Sequence, residues 1–250
     1  YIGGCSLNKH YTNAKNDSAA YTYYLNTADK WSTTASYKMS TAIASRSWDY
    51  VSLQQASPDS GKESTYNSDL TELIKYVKGK LRNSATKFVW HMTWAYQTGS
   101  NKLADSSYSS QSVMYNGIIT AVKNKIATNS SFSMIIPNGT AIQNARTSLL
   151  KDNLTRDGYH LDLLYGRYIA GLTFVKKITG LDISKVTYRP DNVGYALQQI
   201  AIESANNAVK TPYATTKSAH SNVTTSKLYA RVYPQLTAKA FWNSTASSYN

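Results

Sequence analysis

Cysteine occurs once in these 250 residues, at Cys5, and proline only five times. A single thiol excludes an internal disulfide and any cysteine-based zinc site, and a chain of this length has core enough to fold without a crosslink. Acidic side chains are scarce too, 14 against 27 Lys and Arg, for a formal charge of +13. The basic residues are scattered: Lys176-Lys177 is the one lysine doublet, and no Arg-rich arm or aromatic RNA-binding signature accompanies it. A phosphate-binding face needs clustering, so the charge reads as a lysine-coated surface, and no nucleic-acid partner is expected. No apolar run is long enough to span a membrane, and no signal peptide is visible. The chain opens on Tyr1 rather than Met, which reads as a processed or truncated product. His10, His91, His160 and His220 form no set at metal-ligand spacing; neither metal nor cofactor is expected.

What is abundant is tyrosine, 21 copies, within a chain that is 42% hydrophobic and 16% charged. Those are the proportions of a folded protein with few ion pairs. The segment "YIGGCSL" resembles a strand end running into a glycine turn, and the polar, Tyr-rich stretch that follows shows little periodicity. Then helix and strand alternate three times. "YKMSTAIAS" predicts a short helix before the strand "WDYVSLQQ". "YNSDLTELIKYVKGKL" places Leu70, Leu73, Ile74, Val77 and Leu81 at helical spacing before "TKFVWHMTW". After a Ser-rich loop, "VMYNGIITAVKNKIA" aligns Met114, Ile118, Val122 and Ile126 before "FSMIIPNGTAI", a strand closed by Pro137 and Gly139. This alternation predicts an α/β fold with a mostly parallel sheet and ligands at the carboxyl ends of the strands. Two more helices are expected, "LYGRYIAGLTFVKKITG" stopping at Gly180 and an amphipathic one running up to Pro212. Residues 1–212 read as one domain, and 213–250 as a linker or the start of a C-terminal module.

Between the last strand and the first of those helices stands "LTRDGYHLD". An Asp and a His three residues apart suit acyl transfer: the carboxylate bonds one imidazole nitrogen and fixes the tautomer, and the other nitrogen faces a nucleophile. Asp157 and His160 are therefore the candidate orienting acid and general base. At the other strand ends lie Gly3-Gly4, Gln54-Gln55 and the aromatic run from Trp90 to Trp94 around His91. His91 and Trp94 are candidate pocket residues, the rings suited to stacking on sugars or to simple core packing. Arg146 and Arg156 are cations that an acidic or hydroxyl-rich substrate could use, or surface arginines with no specific role.

Five ordered blocks, "YIGGCSLNKH", "WDYVSLQQAS", "VWHMTWAYQ", "IIPNGTAIQNAR" and "NLTRDGYHLD", resemble a family within the SGNH (GDSL-like) hydrolase superfamily, one known mainly as a domain of unknown function in gut bacteria. The resemblance runs from Tyr1 to about Pro212. It implies a flavodoxin-like three-layer α/β/α sandwich of SGNH-hydrolase type, secreted or displayed at the bacterial surface, acting as a serine esterase or acetyl-hydrolase on acylated carbohydrate. It gives Gly4 an oxyanion-hole N–H, and it puts Gln55 or Gln54 where the superfamily has an asparagine donor. It maps Asp157 and His160 onto the last block. The superfamily's nucleophilic serine sits in a Gly-Asp/Asn-Ser block ahead of the glycine block, so the resemblance implies a first strand, first helix and nucleophile upstream of Tyr1; Ser6 in "GCSL" is the alternative. A non-catalytic glycan-binding protein on the same fold is the rival reading. The sequence specifies no oligomeric state.

Overall fold

The computed structural model describes residues 1–221. In chain order it runs α1 (Leu7–Lys15), β1 (Tyr21–Thr27), β2 (Lys30–Tyr37), α2 (Met39–Ala44), β3 (Tyr50–Leu53), α3 (Ser68–Lys78) and β4 (Lys87–His91). There follow α4 (Asn101–Asp105), α5 (Gln111–Ala121), β5 (Phe132–Ile136), α6 (Asn138–Arg146), α7 (Tyr165–Thr179) and α8 (Tyr195–Lys210). The expected class is what forms: mixed α/β with a three-stranded parallel sheet, consistent with a three-layer α/β/α fold. The described residues divide into two compact units, Tyr1–His91 with Gly117–Ile135, and Met92–Asn116 with residues 136–221. No helix among the described residues is long and apolar enough to cross a membrane.

The first unit holds the sheet, in the order β3-β4-β5, with Val51 beside Phe88 and Leu53 beside Trp90 in the parallel β3–β4 ladder. The stripe of α3 (Leu70, Leu73, Ile74 and Val77) is fully buried, and α1 packs against that helix through Leu7. Leu81, expected to continue the stripe, lies beyond the helix end at Gly79. Trp90 fills the sheet interior between the rings of Tyr66 and Phe132. The polar stretch without periodicity folds after all: Ser6 caps α1, whose only buried residues are Leu7 and Ala14, and β1 pairs antiparallel with β2. The hairpin turns through Ala28 and Asp29, both left-handed at φ 50° and 62°, as a two-residue turn of the primed kind requires. "YIGGCSL" forms no strand; Gly3-Gly4 makes a turn with Gly4 at φ +62°, and Tyr1 exchanges backbone hydrogen bonds with Thr22.

At the end of α5 the residues Val122–Ile126 form one π turn, closed by Ala127 N–H donating to Val122 O at 2.9 Å. An apolar residue every fourth position drifts around an ordinary 3.6-residue helix. The wider turn takes up that drift, and Met114, Ile118, Val122 and Ile126 are all buried.

In the second unit α6, α7 and α8 pack together through Ile142, Ala145, Ile169, Leu172, Ile200 and Ala205. Gly180 ends α7 in the left-handed conformation at φ 71°, as anticipated. The strand β5 ends at Ile136, just before Pro137, and α6 begins at once with Asn138, an element the sequence did not signal. Gly139 sits inside the helix because a Cβ would lie 2.1 Å from the carbonyl oxygen of Thr93. The Ser-rich loop contains the short helix α4. Of the expected linker or module start at 213–250, the first residues lie along this unit: Thr216 N–H donates to Asn144 Oδ1 at 2.6 Å, Ser218 N–H to Thr147 Oγ1 at 2.8 Å, and Glu203 accepts from Ser218 Oγ and from Ala219 N–H. Residues 222–250 lie outside the described residues.

Candidate functional site

The candidate residues fall in both units. In the second unit, the segment between Leu154 and Asp162 is a closed loop. Thr155 and Leu161 form an antiparallel bridge, Arg156 N–H donates to His160 O at 3.0 Å and Asp162 N–H to Leu154 O at 3.0 Å. Gly158 turns it at φ +88°, where a Cβ would also meet Ser100 Oγ at 2.8 Å. Both constraints require glycine at this position.

Inside the loop, His160 Nδ1 lies 2.6 Å from Asp157 Oδ2, and Asp157 Oδ1 accepts the backbone N–H groups of His160 (2.8 Å) and Tyr159 (3.2 Å). Burial pushes the Asp157 pKa up, but the His160 ring and the two N–H donors outweigh it, and the carboxyl is held below its usual range. Against an acceptor carboxylate it is the Nδ1–H tautomer of the imidazole that makes this contact, and in that tautomer Nε2 carries the lone pair. The Tyr159 ring tilts over the imidazole at 4.0 Å, and Tyr96 meets Tyr159 edge-on at 5.9 Å.

Supports for this loop come from about sixty residues earlier. The Trp94 indole N–H donates to Tyr159 O at 2.8 Å, Gln97 N–H to Gly158 O at 2.8 Å, and Thr155 Oγ1 to Gln97 Oε1 at 2.6 Å. Trp94 is thus a clamp on the Asp157–His160 loop, half-buried, a role its sequence context does not signal. Behind it, Asp152 accepts from Thr98 N–H, from the Gln111 amide and from Arg146 Nε at 2.8 Å. Arg146 also donates to Gln143 Oε1 and to Ala95 O, and its side chain is almost wholly buried. Burial pulls the guanidinium pKa down, against the pull of Asp152. Arg146 is therefore internal wiring of this unit. Arg156 is exposed, with Nη1 3.5 Å from Leu161 O.

In the first unit, Ser6 Oγ caps α1 by accepting from Lys9 N–H at 3.3 Å, and Gly4 sits in the exposed turn just before it. Cys5 is buried, and its thiol pKa is raised by that burial. Gln55, 1% exposed, is used at every polar atom: Oε1 accepts from Leu7 N–H (3.0 Å) and Ala56 N–H (2.9 Å), and Nε2 donates to Thr65 Oγ1 and O. Gln54 is exposed, and its Oε1 lies 2.6 Å from His91 Nδ1. Burial lowers the His91 pKa to about 4 while leaving an edge of the ring open to solvent, so His91 is neutral at pH 7 and Nδ1–H donates to Gln54. Trp90 is core. Among the described residues, no three His, Cys, Asp or Glu side chains are grouped as metal ligands would be.

Comparison with known proteins gives two matches. The model of a family described as Domain of unknown function (DUF4886) matches residues 1–208. A solved structure of a DUF4886 family protein from Bacteroides uniformis ATCC 8492 is similar at 38% identity, over 87% of this chain and 84% of that one, with a TM-score of 0.81. No curated protein matches.

Proposed function

Because the chain belongs to the DUF4886 family, whose description assigns no activity, its function has to be argued from its own side chains, and we propose that it is a serine esterase of SGNH type acting on acylated carbohydrate. One observation carries the reading: the 2.6 Å contact between His160 Nδ1 and an Asp157 carboxylate that is itself fixed by two backbone N–H groups. In this reading His160 Nε2 takes the proton of a serine hydroxyl as that oxygen attacks the ester carbonyl. As the acyl C–O bond to the sugar breaks, it returns the proton to the departing sugar oxygen and leaves an acyl-serine; it then activates water to hydrolyse that ester, releasing the acid and regenerating the serine. Asp157 holds the tautomer and balances the imidazolium. Trp94 keeps the loop in register. The resemblance, and not a measured distance, gives the oxyanion role to the Gly4 N–H and a glutamine amide. Of the pair considered, Gln54 is the better donor, since both acceptors on Thr65 already engage the amide nitrogen of Gln55. The setting proposed is secreted or cell-surface, where acylated polysaccharide is met.

Hydrolysis of p-nitrophenyl acetate and of acetylated xylan tests the reading, using this chain and a form extended upstream through its own gene. Activity should fall about 10³–10⁴-fold in His160→Ala and Asp157→Asn. Loss on Ser6→Ala in the short form assigns Ser6 as nucleophile, and activity confined to the extended form assigns an upstream serine. No hydrolysis of either ester by either form overturns the proposal.

A further inference from the structure

The register of the β1–β2 hairpin fixes which side chains share a face. Tyr24 stands opposite Thr33 and Asn26 opposite Trp31. Directly opposed residues project to one side and successive residues alternate. Tyr24, Asn26, Trp31 and Thr33 therefore make one face, and Tyr23, Leu25, Ser32 and Thr34 the other.

The second face is turned inward at Tyr23 and Leu25, while Ser32 and Thr34 are exposed. Tyr23 stacks on Tyr37 at 4.5 Å, its hydroxyl lies 3.4 Å from Ser45 Oγ, and Leu25 is half-buried. The first face is turned outward: Tyr24 is 52% exposed, Trp31 71%, and Asn26 and Thr33 are exposed. A solvated sheet face ordinarily carries polar side chains. Here Tyr24 and Trp31 occupy it at diagonal positions, about 7–8 Å apart. Tyr1, 71% exposed, adds a third ring edge-on to Tyr24 at 6.3 Å.

The chemistry between the rings selects the ligand. Asn26 and Thr33 supply an amide and a hydroxyl, and Lys30, paired with Thr27 and exposed, belongs to the other face. Among Tyr24, Asn26, Trp31 and Thr33 there is no cationic side chain, in a chain of formal charge +13. A phosphate-bearing polymer would require one. A neutral pyranose chain requires apolar ring faces for its C–H surfaces and neutral hydrogen-bonding groups for its hydroxyls. We infer that the outward face of the β1–β2 hairpin binds an extended neutral polysaccharide, with Tyr24 and Trp31 stacking on its sugar rings and Asn26 and Thr33 bonding its hydroxyls. The inference stands on the hairpin and does not rest on the esterase reading.

Affinity electrophoresis in native gels containing xylan, hydroxyethylcellulose or galactomannan tests it on the full chain. At least one polymer should retard the protein, and Tyr24→Ala and Trp31→Ala should each weaken that affinity about tenfold. Melting temperatures should be unchanged, because both rings are exposed. The same polymer should protect from acrylamide quenching the part of the fluorescence that Trp31→Phe removes. Absence of retardation by all three polymers, or equal retardation of wild type and Trp31→Ala, overturns the inference. So does protection of Trp31 that grows with protein concentration alone, which would assign the face to a second copy of the chain.

Discussion

Gly139→Ala tests whether close backbone packing or helix propensity governs the start of α6. An added Cβ would stand 2.1 Å from Thr93 O and 3.1 Å from its carbonyl carbon. Ordinary contact needs more than 3 Å, so the two backbones must part by about 1 Å. They are tied at that point: Gly139 N–H donates to Met92 O at 2.9 Å and Met92 N–H to Ile136 O at 3.0 Å. Overpacking costs about 1–3 kcal/mol, and loosening one such hydrogen bond adds about 1 kcal/mol. Alanine in a helix returns only about 0.5–1 kcal/mol. The net expectation is about 2 kcal/mol of destabilisation, a fall in melting temperature of about 4–8 °C for a chain of this size. Gly171→Ala is the matched control. It lies within α7 with nothing inside 4 Å of its would-be Cβ, so the propensity gain of about 0.5–1 kcal/mol should appear undiluted. Thermal denaturation followed by circular dichroism reads both. A Gly139→Ala protein that melts at or above wild type would show that the two backbones can part freely, and would refute the argument.

Two further outcomes follow from the first unit. His10, hydrogen-bonded to Tyr21 OH at 2.9 Å, has its pKa lowered to about 4, chiefly by burial, as has His91. Each is neutral in the fold and takes up a proton on unfolding, so this stability is complete above the unfolded pKa of about 6.5 and is lost as pH falls towards 4. The loss is at most about 1.4 kcal/mol per pH unit for each histidine. Urea midpoints at pH 7 and pH 5 should show it, with a smaller drop in His10→Phe; a midpoint that rises on acidification would contradict the burial of these rings. Gln55→Ala should cost about 2–4 kcal/mol, because the buried N–H groups of Leu7 and Ala56 lose their acceptor. A stable Gln55→Ala protein with impaired ester hydrolysis would instead return Gln55 to the oxyanion role.

Much of the framework was legible because burial wrote it as period. The stripes of α3 and α5 and the short apolar runs of β3, β4 and β5 stand where their spacing puts them. Other elements left little trace. The helix α1 buries only Leu7 and Ala14, too few for a stripe. The hairpin turns on Ala28-Asp29 where the sequence signal would be Asn-Gly. The helix α6 left no signal beyond Pro137 and Gly139, which read as the end of a strand; its start is held by contacts with Met92 and Thr93, which no local window contains. The contact between Asp157 and His160 was legible because both sit in one tight loop. The Trp94, Gln97 and Asp152 bonds behind it were not, since they join distant stretches of chain. Gln55 looked like a donor at a strand end, and only its four partners show how fully it is engaged in its own unit.

The π turn at Val122–Ile126 marks a place where chain length can change at low cost. Removing one residue from an ordinary helix rotates everything beyond it by about 100°, which would turn a buried stripe to solvent. Here a deletion among Lys123, Asn124 and Lys125, all exposed, converts the wide turn to a plain one and leaves Val122 and Ile126 three apart, still on one face. The extra residue carries its own reward: Asn124 Nδ2 reaches Glu63 Oε2 at 3.1 Å and Lys125 Nζ reaches Glu63 Oε1 at 3.5 Å. Relatives of this chain should accordingly differ in length by one residue at this point more readily than elsewhere in the helix, and those one residue shorter should have no need of an acid at the position of Glu63.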